Sequence, residues 1–316
     1  MLAFSIIIPV YNRPEEVDEL LRSLTLQHFK NFEVILVEDG STKTCRHLVD
    51  VYADHFVIQY IFKPNSGPGP SRNLGFAQAK ADYFLVFDSD CIIPPDYLKV
   101  VQNALDQYKW DAFGGPDKAH EDFTLLQKAM GYTMASFLTT GGIRGGKQHL
   151  GAFQPRSFNM GLSRKAYELT GGFRFDRYAE DIELSIRLKA TGLKVGLIPE
   201  AFVYHKRRTN LSQFYKQVFN FGKGRVLIGK QYPQEIKLTH WIPSLFTTAL
   251  LGWLLTAFVY WPLFKLGAVF LGLYLIAIML GATLAYKNIL VGLLAIPSAL
   301  VQLLGYGTGF FAEKFK

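Results

Sequence analysis

Two carboxylates one residue apart, Asp88 and Asp90, close a short apolar run, Tyr83-Phe84-Leu85-Val86-Phe87. In an extended chain side chains repeat every second residue, so the two acids point the same way. Like charges so placed repel one another unless a cation lies close by. Hard oxygen ligands suit Mg²⁺ or Mn²⁺, whose shell is completed by waters and by the oxygens of a substrate diphosphate. An Asp-rich turn with a local capping role fits the same residues, and both readings stand at this point.

A second acidic pair, Glu180-Asp181, opens a helical pattern in which Ile182, Ile186 and Lys189 share a face. Acids in a first turn are favoured by the helix dipole. They also suit a general base that takes a proton from an attacking hydroxyl. His205 follows the apolar Phe202-Val203-Tyr204. It fits three roles: completing a metal shell, touching a diphosphate, or a structural one.

The elements that must position these groups are legible as periodicity. Continuous apolar character over 4–10, 32–37, 56–62 and 83–87 predicts strands covered on both faces. Pro14 suits a first helical turn, and Val17, Leu20, Leu21 and Leu24 lie at helical spacing after it. A Ser41-Thr42 pair can cap a second helix, and the Gly/Pro-rich 64–73 leads into a third over 71–80. Strand and helix alternating through short connections predict an α/β fold with a parallel, doubly wound sheet. Ligands of such sheets sit outside the carboxyl ends of the strands. Asn12, Asp39, Asn65 and Asp88 each fall just past a strand end, which makes that edge the expected binding site.

Further along, helices are expected over 94–108 and, amphipathically, over 123–138; a short strand is expected over 111–115. The basic, glycine-rich 141–147 reads equally as an acceptor lid or a solvated connection. Phe158-Asn159-Met160-Gly161-Leu162-Ser163 is read as introducing a helix that ends at Gly171-Gly172-Phe173. Short strands are expected over 194–198 and 202–204.

Four stretches, in order, carry a resemblance: Ile6-Ile7-Ile8-Pro9-Val10-Tyr11-Asn12-Arg13, Glu38-Asp39-Gly40-Ser41-Thr42, Ser66-Gly67-Pro68-Gly69-Pro70-Ser71-Arg72-Asn73 and Asp88-Ser89-Asp90. They resemble the signatures of family 2 glycosyltransferases over about residues 5–205. The resemblance implies a GT-A fold, which is Rossmann-like with a mostly parallel sheet, and a nucleotide-sugar donor, with a UDP-sugar the first expectation. It implies that Pro9, Tyr11 and Asp39 hold the base, Asp39 accepting from a uracil-type ring N–H. Arg72 would approach the nucleotide, Asp88 the ribose or the metal, and Asp90 the metal, with His205 as a further ligand. Asn12, Arg13, Asn65, Gly67 and Ser89 complete the expected donor-binding set, with Mg²⁺ or Mn²⁺ as cofactor. Asp181 takes the part of general base and Glu180 that of a supporting residue or acceptor contact, in a reaction that inverts the anomeric centre. The 158–163 run resembles the family's acceptor-side segment. Processive members carry Gln-x-x-Arg-Trp; here Gln217 to Arg225 offers only a relic without Trp, which favours transfer of a single sugar. A processive polysaccharide synthase and a non-catalytic membrane scaffold with a nucleotide-binding fold remain the alternatives.

A net charge of +8 invites a nucleic-acid partner, but 49% hydrophobic and 15% aromatic residues point to lipid instead. The cations are also concentrated. Lys206, Arg207, Arg208, Lys216, Lys223, Arg225, Lys230 and Lys237 face a single acid, Glu235, between positions 202 and 237. Such a block beside a membrane entry point is attracted to anionic headgroups and marks the cytoplasmic side. No zinc-finger spacing or recognition-helix pattern is present, so no nucleic-acid partner is expected. Two separated cysteines, Cys45 and Cys91, fit a reducing compartment. Met1 to Ser5 lack a basic, then long apolar, leader, so no cleaved signal is expected.

From position 242 the chain turns apolar. Uncharged runs over 242–260, 266–286 and 289–312 match the roughly 20 residues needed to cross a bilayer. Pro243, Pro262 and Pro297 are candidate breaks. A basic helix over 211–228, with Phe214, Val218, Phe221 and Leu227 on it, is read as interfacial. The expected organisation is a catalytic domain over 1–205, a basic interfacial region over 206–240 and membrane helices over 241–316. The protein is expected in the inner membrane with its catalytic domain on the cytoplasmic side and a lipid or lipid-linked glycan as acceptor.

Overall fold

A computed structural model describes residues 2–118, 123–140, 153–206 and 208–316; the expected glycine-rich loop at 141–147 lies outside them. Among these residues, 2–118 and 153–206 form one compact unit, and 123–140 and 208–316 a second.

The first unit begins with β1 (Phe4–Val10), α1 (Pro14–Thr25), β2 (Phe32–Asp39), α2 (His47–Tyr52), β3 (Val57–Lys63), α3 (Pro68–Gln78) and β4 (Tyr83–Phe87). The expected strands are present to within two residues at each end. They are joined by β5 (Cys91–Ile92), α4 (Tyr97–Tyr108), β6 (Ala112–Gly114) and β7 (Asp117–Lys118). A seven-stranded sheet runs β3-β2-β1-β4-β8-β6-β9, with β8 at Asn159–Ser163 and β9 at Val195–Leu197. Its β3, β2, β1 and β4 pair in parallel, as the alternating pattern required.

Strand alternation assigns the two cores. Ile6 and Ile8 pack with Val17, Leu20, Leu21, Leu85 and Phe87 on one face. Ile7 points the other way and packs with Ile35, Val37, Phe76, Phe84 and Val86. Both faces are therefore covered, which is why these strands read as unbroken apolar runs.

The 158–163 run leads into a helix as expected, but it also forms a strand that was not expected, β8, antiparallel to both β4 and β6. Gly161 lies against the Phe113 ring, which a Cβ would strike, so the strand needs glycine for close approach. Only α7 (Arg164–Thr170) follows as helix, capped by the Ser163 side chain and stopped by Gly171 in the left-handed region.

Next comes α8 (Glu180–Ala190), then β10 (Val203–His205), which pairs with β5 and β7 in a small three-stranded sheet. The antiparallel register sets His205 opposite Cys91. The Lys206 N–H then donates to the Asp90 carbonyl at 3.0 Å.

The second unit holds α5 (Leu125–Ala135), α6 (Phe137–Thr140), α9 (Leu211–Gln231), α10 (Ile242–Val259), α11 (Trp261–Tyr286) and α12 (Ile289–Lys314). The single helix expected over 123–138 is two, broken at Ser136, whose backbone is extended. A Thr124–Gln127 capping box starts α5. Its Ala129 packs with Ile278, Ala282, Val291, Ala295 and Ala299, and its Met130 and Met134 with Phe214 and Val218. A helix from the middle of the sequence thus belongs with the C-terminal helices.

The basic α9 packs along α12 through small residues. A Cβ on Gly222 would strike the Tyr306 carbonyl, and one on Gly309 the Phe219 carbonyl. Such close backbone approach is the usual device of helix pairs in a membrane. Its Phe214 and Val218 are buried in this contact. Three helices, Leu238–Val259, Trp261–Tyr286 and Ile289–Lys314, are long and apolar enough to cross a membrane. Pro243 and Pro262 sit in the first turns of α10 and α11, where a missing N–H costs nothing; only Pro297 lies inside a helix. Lys265, expected between spans, is inside α11.

Candidate active site

Arg72 organises the rim. It projects from α3, is 2% exposed, and donates from Nη2 to Asp88 Oδ1 and from Nη1 to Glu180 Oε1, both at 2.8 Å. The guanidinium also lies over the Phe173 ring, 5.2 Å from its centre. Three elements far apart in sequence are thereby joined by one planar cation whose fork geometry suits two carboxylates at once. Ser157 Oγ adds a contact to Glu180 Oε1 at 3.3 Å. Burial pushes the Glu180 carboxyl up to about 7; Arg72 opposes this and the neighbouring Asp181 charge reinforces it.

Asp90 forms a second cluster. Arg13 Nη1 meets its Oδ2 at 2.5 Å, and His205 Nε2 lies 3.1 Å from its Oδ1. The Asp90 side chain is 6% exposed and that of Arg13 31%. His205 stacks on Phe158, with ring centres 4.9 Å apart. Arg13 also feels the charge of Asp88, so the two clusters adjoin.

Asp39 is buried at the end of β2. Burial opposes its charge, but Lys63 and the N–H groups of Ser66 and Gly67 hold its carboxyl below the ordinary carboxylate range. Those N–H bonds are each 2.8 Å, and Lys63 Nζ donates to Oδ1. Asp39 thus ties β2 to the start of the glycine-proline loop. Gly67 has φ of 108°, and a Cβ there would strike the Asp176 carbonyl. No L side chain fits that backbone and that space.

Asn12, also at positive φ, accepts through Oδ1 from Thr42 N, Thr42 Oγ1 and Lys43 N at 2.8–3.0 Å, fixing the loop after β2. Asn65 donates to the Asp39 carbonyl at 2.7 Å and accepts from Arg177. Tyr11 stands 52% exposed beside this rim, and Ser89 is buried between the two acids. Pro9 pairs in register with Val37 in the sheet.

Asp181 opens α8 beside Glu180. Its Oδ1 accepts from the Ile182 N–H at 2.8 Å, and its Oδ2 lies 3.5 Å from Arg156 Nη1. With 17% of its side chain exposed, it is more accessible than Glu180. Arg156, Ser157 and Lys63 were not signalled by the sequence, and Phe158 and Phe173, though in quoted runs, had no role assigned at the site. Each acquires its place only when β3, β8 or α8 docks. Lys63, closing β3 beside Asp39, was the one recognisable from strand order.

The donor set suits a hard divalent cation. Asp90 and His205 offer ligand atoms within 4.8 Å of one another and of the Cys91 sulfur. Burial, then the Asp90 and Asp88 charges, push the Cys91 thiol well above its ordinary value. The Asp90 carboxylate and the His205 imidazole are the other donors of this cluster, with Asp88 adjoining it, and oxygen with imidazole fits Mn²⁺ or Mg²⁺.

Comparison with known proteins agrees with this geometry. The glycosyl transferase family 2 pattern matches residues 5–169. The poly(ribitol-phosphate) beta-N-acetylglucosaminyltransferase TarS of Staphylococcus aureus is 34% identical over 115 residues, 35% of this chain and 20% of TarS. An uncharacterized glycosyltransferase of Haemophilus influenzae is 42% identical over 99 residues, 31% of this chain and 33% of its own length. The matched stretch is therefore a third or less of these relatives. Among solved structures, S. aureus TarS 1-349 in complex with UDP-GlcNAc superposes with a TM-score of 0.51 at 21% identity, covering 71% of this chain and 67% of that one. The mannosyltransferase PcManGT from Pyrobaculum calidifontis, in complex with GDP-Man and Mn²⁺, gives 0.63 at 16% identity, covering 95% and 87%. These likenesses establish a shared GT-A fold. The family pattern covers more than half of the chain, which therefore belongs to glycosyl transferase family 2.

Proposed function

We propose that the protein transfers one sugar, with inversion, from a nucleoside-diphosphate sugar to an acceptor held at a membrane surface. The observation that carries this reading is the convergence of Asp88, Asp90 and the Glu180-Asp181 pair around Arg72 and Arg13. The acceptor hydroxyl forms a new bond to the anomeric carbon from the face opposite the diphosphate, whose bond to that carbon breaks. Asp181 takes the hydroxyl proton, with Arg156 Nη1 3.5 Å from its Oδ2. Glu180, locked on Arg72, holds the start of α8 in place.

Asp88, Asp90 and His205 would hold Mg²⁺ or Mn²⁺. When bound, the cation supplies positive charge that stabilises the departing diphosphate. Arg13 and Arg72 serve the same negative charge. A carboxylate has about four acceptor directions, and three at Asp39 are taken by Lys63, Ser66 and Gly67. One direction remains, which suits a base with a single ring N–H, such as uracil. Pro9, Tyr11, Asn12, Asn65, Gly67 and Ser89 shape this donor rim, several of them through the loops they fix.

The three long apolar helices and the basic α9 support an integral membrane protein with its catalytic unit on the cytoplasmic side of the inner membrane. A lipid or lipid-linked glycan is the acceptor that such anchoring suits. The test is hydrolysis and transfer across a panel of nucleotide sugars by purified protein with each metal. Asp181→Asn should abolish transfer while donor binding persists; transfer at the wild-type rate would overturn the assignment.

A further inference from the structure

The two arginines at the rim are held differently. Arg72 is fixed, with a 3% exposed side chain bonded to two carboxylates. Arg13 bonds to Asp90 Oδ2, and its side chain is 31% exposed at the turn before α1. A swing of Arg13 needs no opening of the core; a swing of Arg72 would.

Resting on the metal reading above, we propose that Arg13 occupies the cation's place at Asp90 until the donor diphosphate draws it away, so that metal and donor bind as a linked pair. Both Asp90 oxygens are engaged in this state, one by Arg13 and the other beside His205. A divalent cation arriving alone must displace a guanidinium at 2.5 Å from a nearly buried carboxylate. Charge reinforces the point. Asp88, Asp90 and Glu180 face Arg72 and Arg13, so with all three acids charged a lone divalent cation takes this group from one negative charge to one positive. A diphosphate arriving with the metal restores the balance, and its oxygens are the natural new partner for the released Arg13 fork. Where two ligands are linked in this way, each must raise the other's affinity by the same factor.

The experiment is Mn²⁺ binding to the full-length, detergent-solubilised protein, followed by electron paramagnetic resonance of free Mn²⁺, with and without UDP as the probe. Wild type should bind Mn²⁺ weakly alone. Arg13→Gln and Arg13→Met should bind Mn²⁺ alone about tenfold more tightly, with the enhancement by UDP reduced correspondingly; a tenfold change corresponds to about 1.4 kcal/mol. Asp90→Asn should weaken Mn²⁺ binding in every background. Unchanged or weaker Mn²⁺ binding by both Arg13 variants, with Asp90→Asn still impaired, overturns the proposal and leaves the metal reading intact. No Mn²⁺ binding by wild type, even with UDP, overturns the metal reading and this proposal together.

Discussion

The catalytic rim and the C-terminal helices solve the same packing problem with opposite materials. At the rim, charged groups are withdrawn from water and must be neutralised in pairs: Arg72 with Asp88 and Glu180, Arg13 with Asp90, Lys63 with Asp39. Between α9 and α12 the contact is made by absence of side chain, with Gly222, Gly305 and Gly309 letting backbones approach. Buried ion pairs add little net stability, yet removing one partner is expensive. Glycine contacts depend on volume alone. The rim is therefore sensitive to charge and geometry, and the helical contact to size.

The largest expected effect is at Asp181, the more accessible acid of the Glu180-Asp181 pair. Asp181→Asn should lower single-turnover transfer by about 10²–10⁴-fold, the usual share of a general base, while donor affinity by calorimetry stays at the wild-type value. Next is Arg72→Ala, which strands two carboxylates and should cost about 3–5 kcal/mol in denaturant unfolding. A loss below about 1 kcal/mol would mean the rim is not held by this cation.

The helical contact answers to volume. Gly309→Leu should lower stability by about 1–3 kcal/mol through overpacking, with donor hydrolysis per folded molecule unchanged. Equal stability would show that α9 and α12 part at no cost.

A smaller effect separates the two regions by pH. Glu180 is raised from its ordinary 4.5 to about 7, so between these values the folded protein keeps a proton that the unfolded chain has lost. Stability should therefore fall as pH rises through that window and level off above it. Glu180→Gln should flatten this component of the thermal-midpoint profile, whereas Gly309→Leu should shift the profile without changing its slope. Smallest is Lys230→Ala. Its half-exposed bond to Glu313, at 3.2 Å, should contribute under about 1 kcal/mol.

Legibility followed length and periodicity. β1, β2, β3 and β4 were readable because each is a continuous apolar run long enough to outweigh local ambiguity. β5 and β7 are two residues each and carry no pattern. β8 was missed because Asn159-Met160-Gly161-Leu162-Ser163 alternates over only two apolar residues, has a central glycine and lacks β-branched or aromatic ones; its extended form is imposed by β4 and β6 on either side. The apolar face of α5 was visible, but not its partners among the C-terminal helices, since a stripe does not name what covers it. At the site, the acids were visible as motifs. So were Arg13 and Arg72, but not the acids they hold, because pairings such as Arg72 with Glu180 span 108 positions.

The sequence by itself determined which chemistry was on hand: paired acids at strand ends, a glycine- and proline-rich loop ahead of a helix, and apolar runs of bilayer length. These are properties of near neighbours, fixed by backbone sterics and side-chain period. Tertiary structure alone decided which acid is clamped and which stays accessible, and that β10 brings His205 to Asp90. Those outcomes depend on long-range docking: α8 must meet α3, and a shift of one residue in β10 would turn His205 to the opposite face of its sheet.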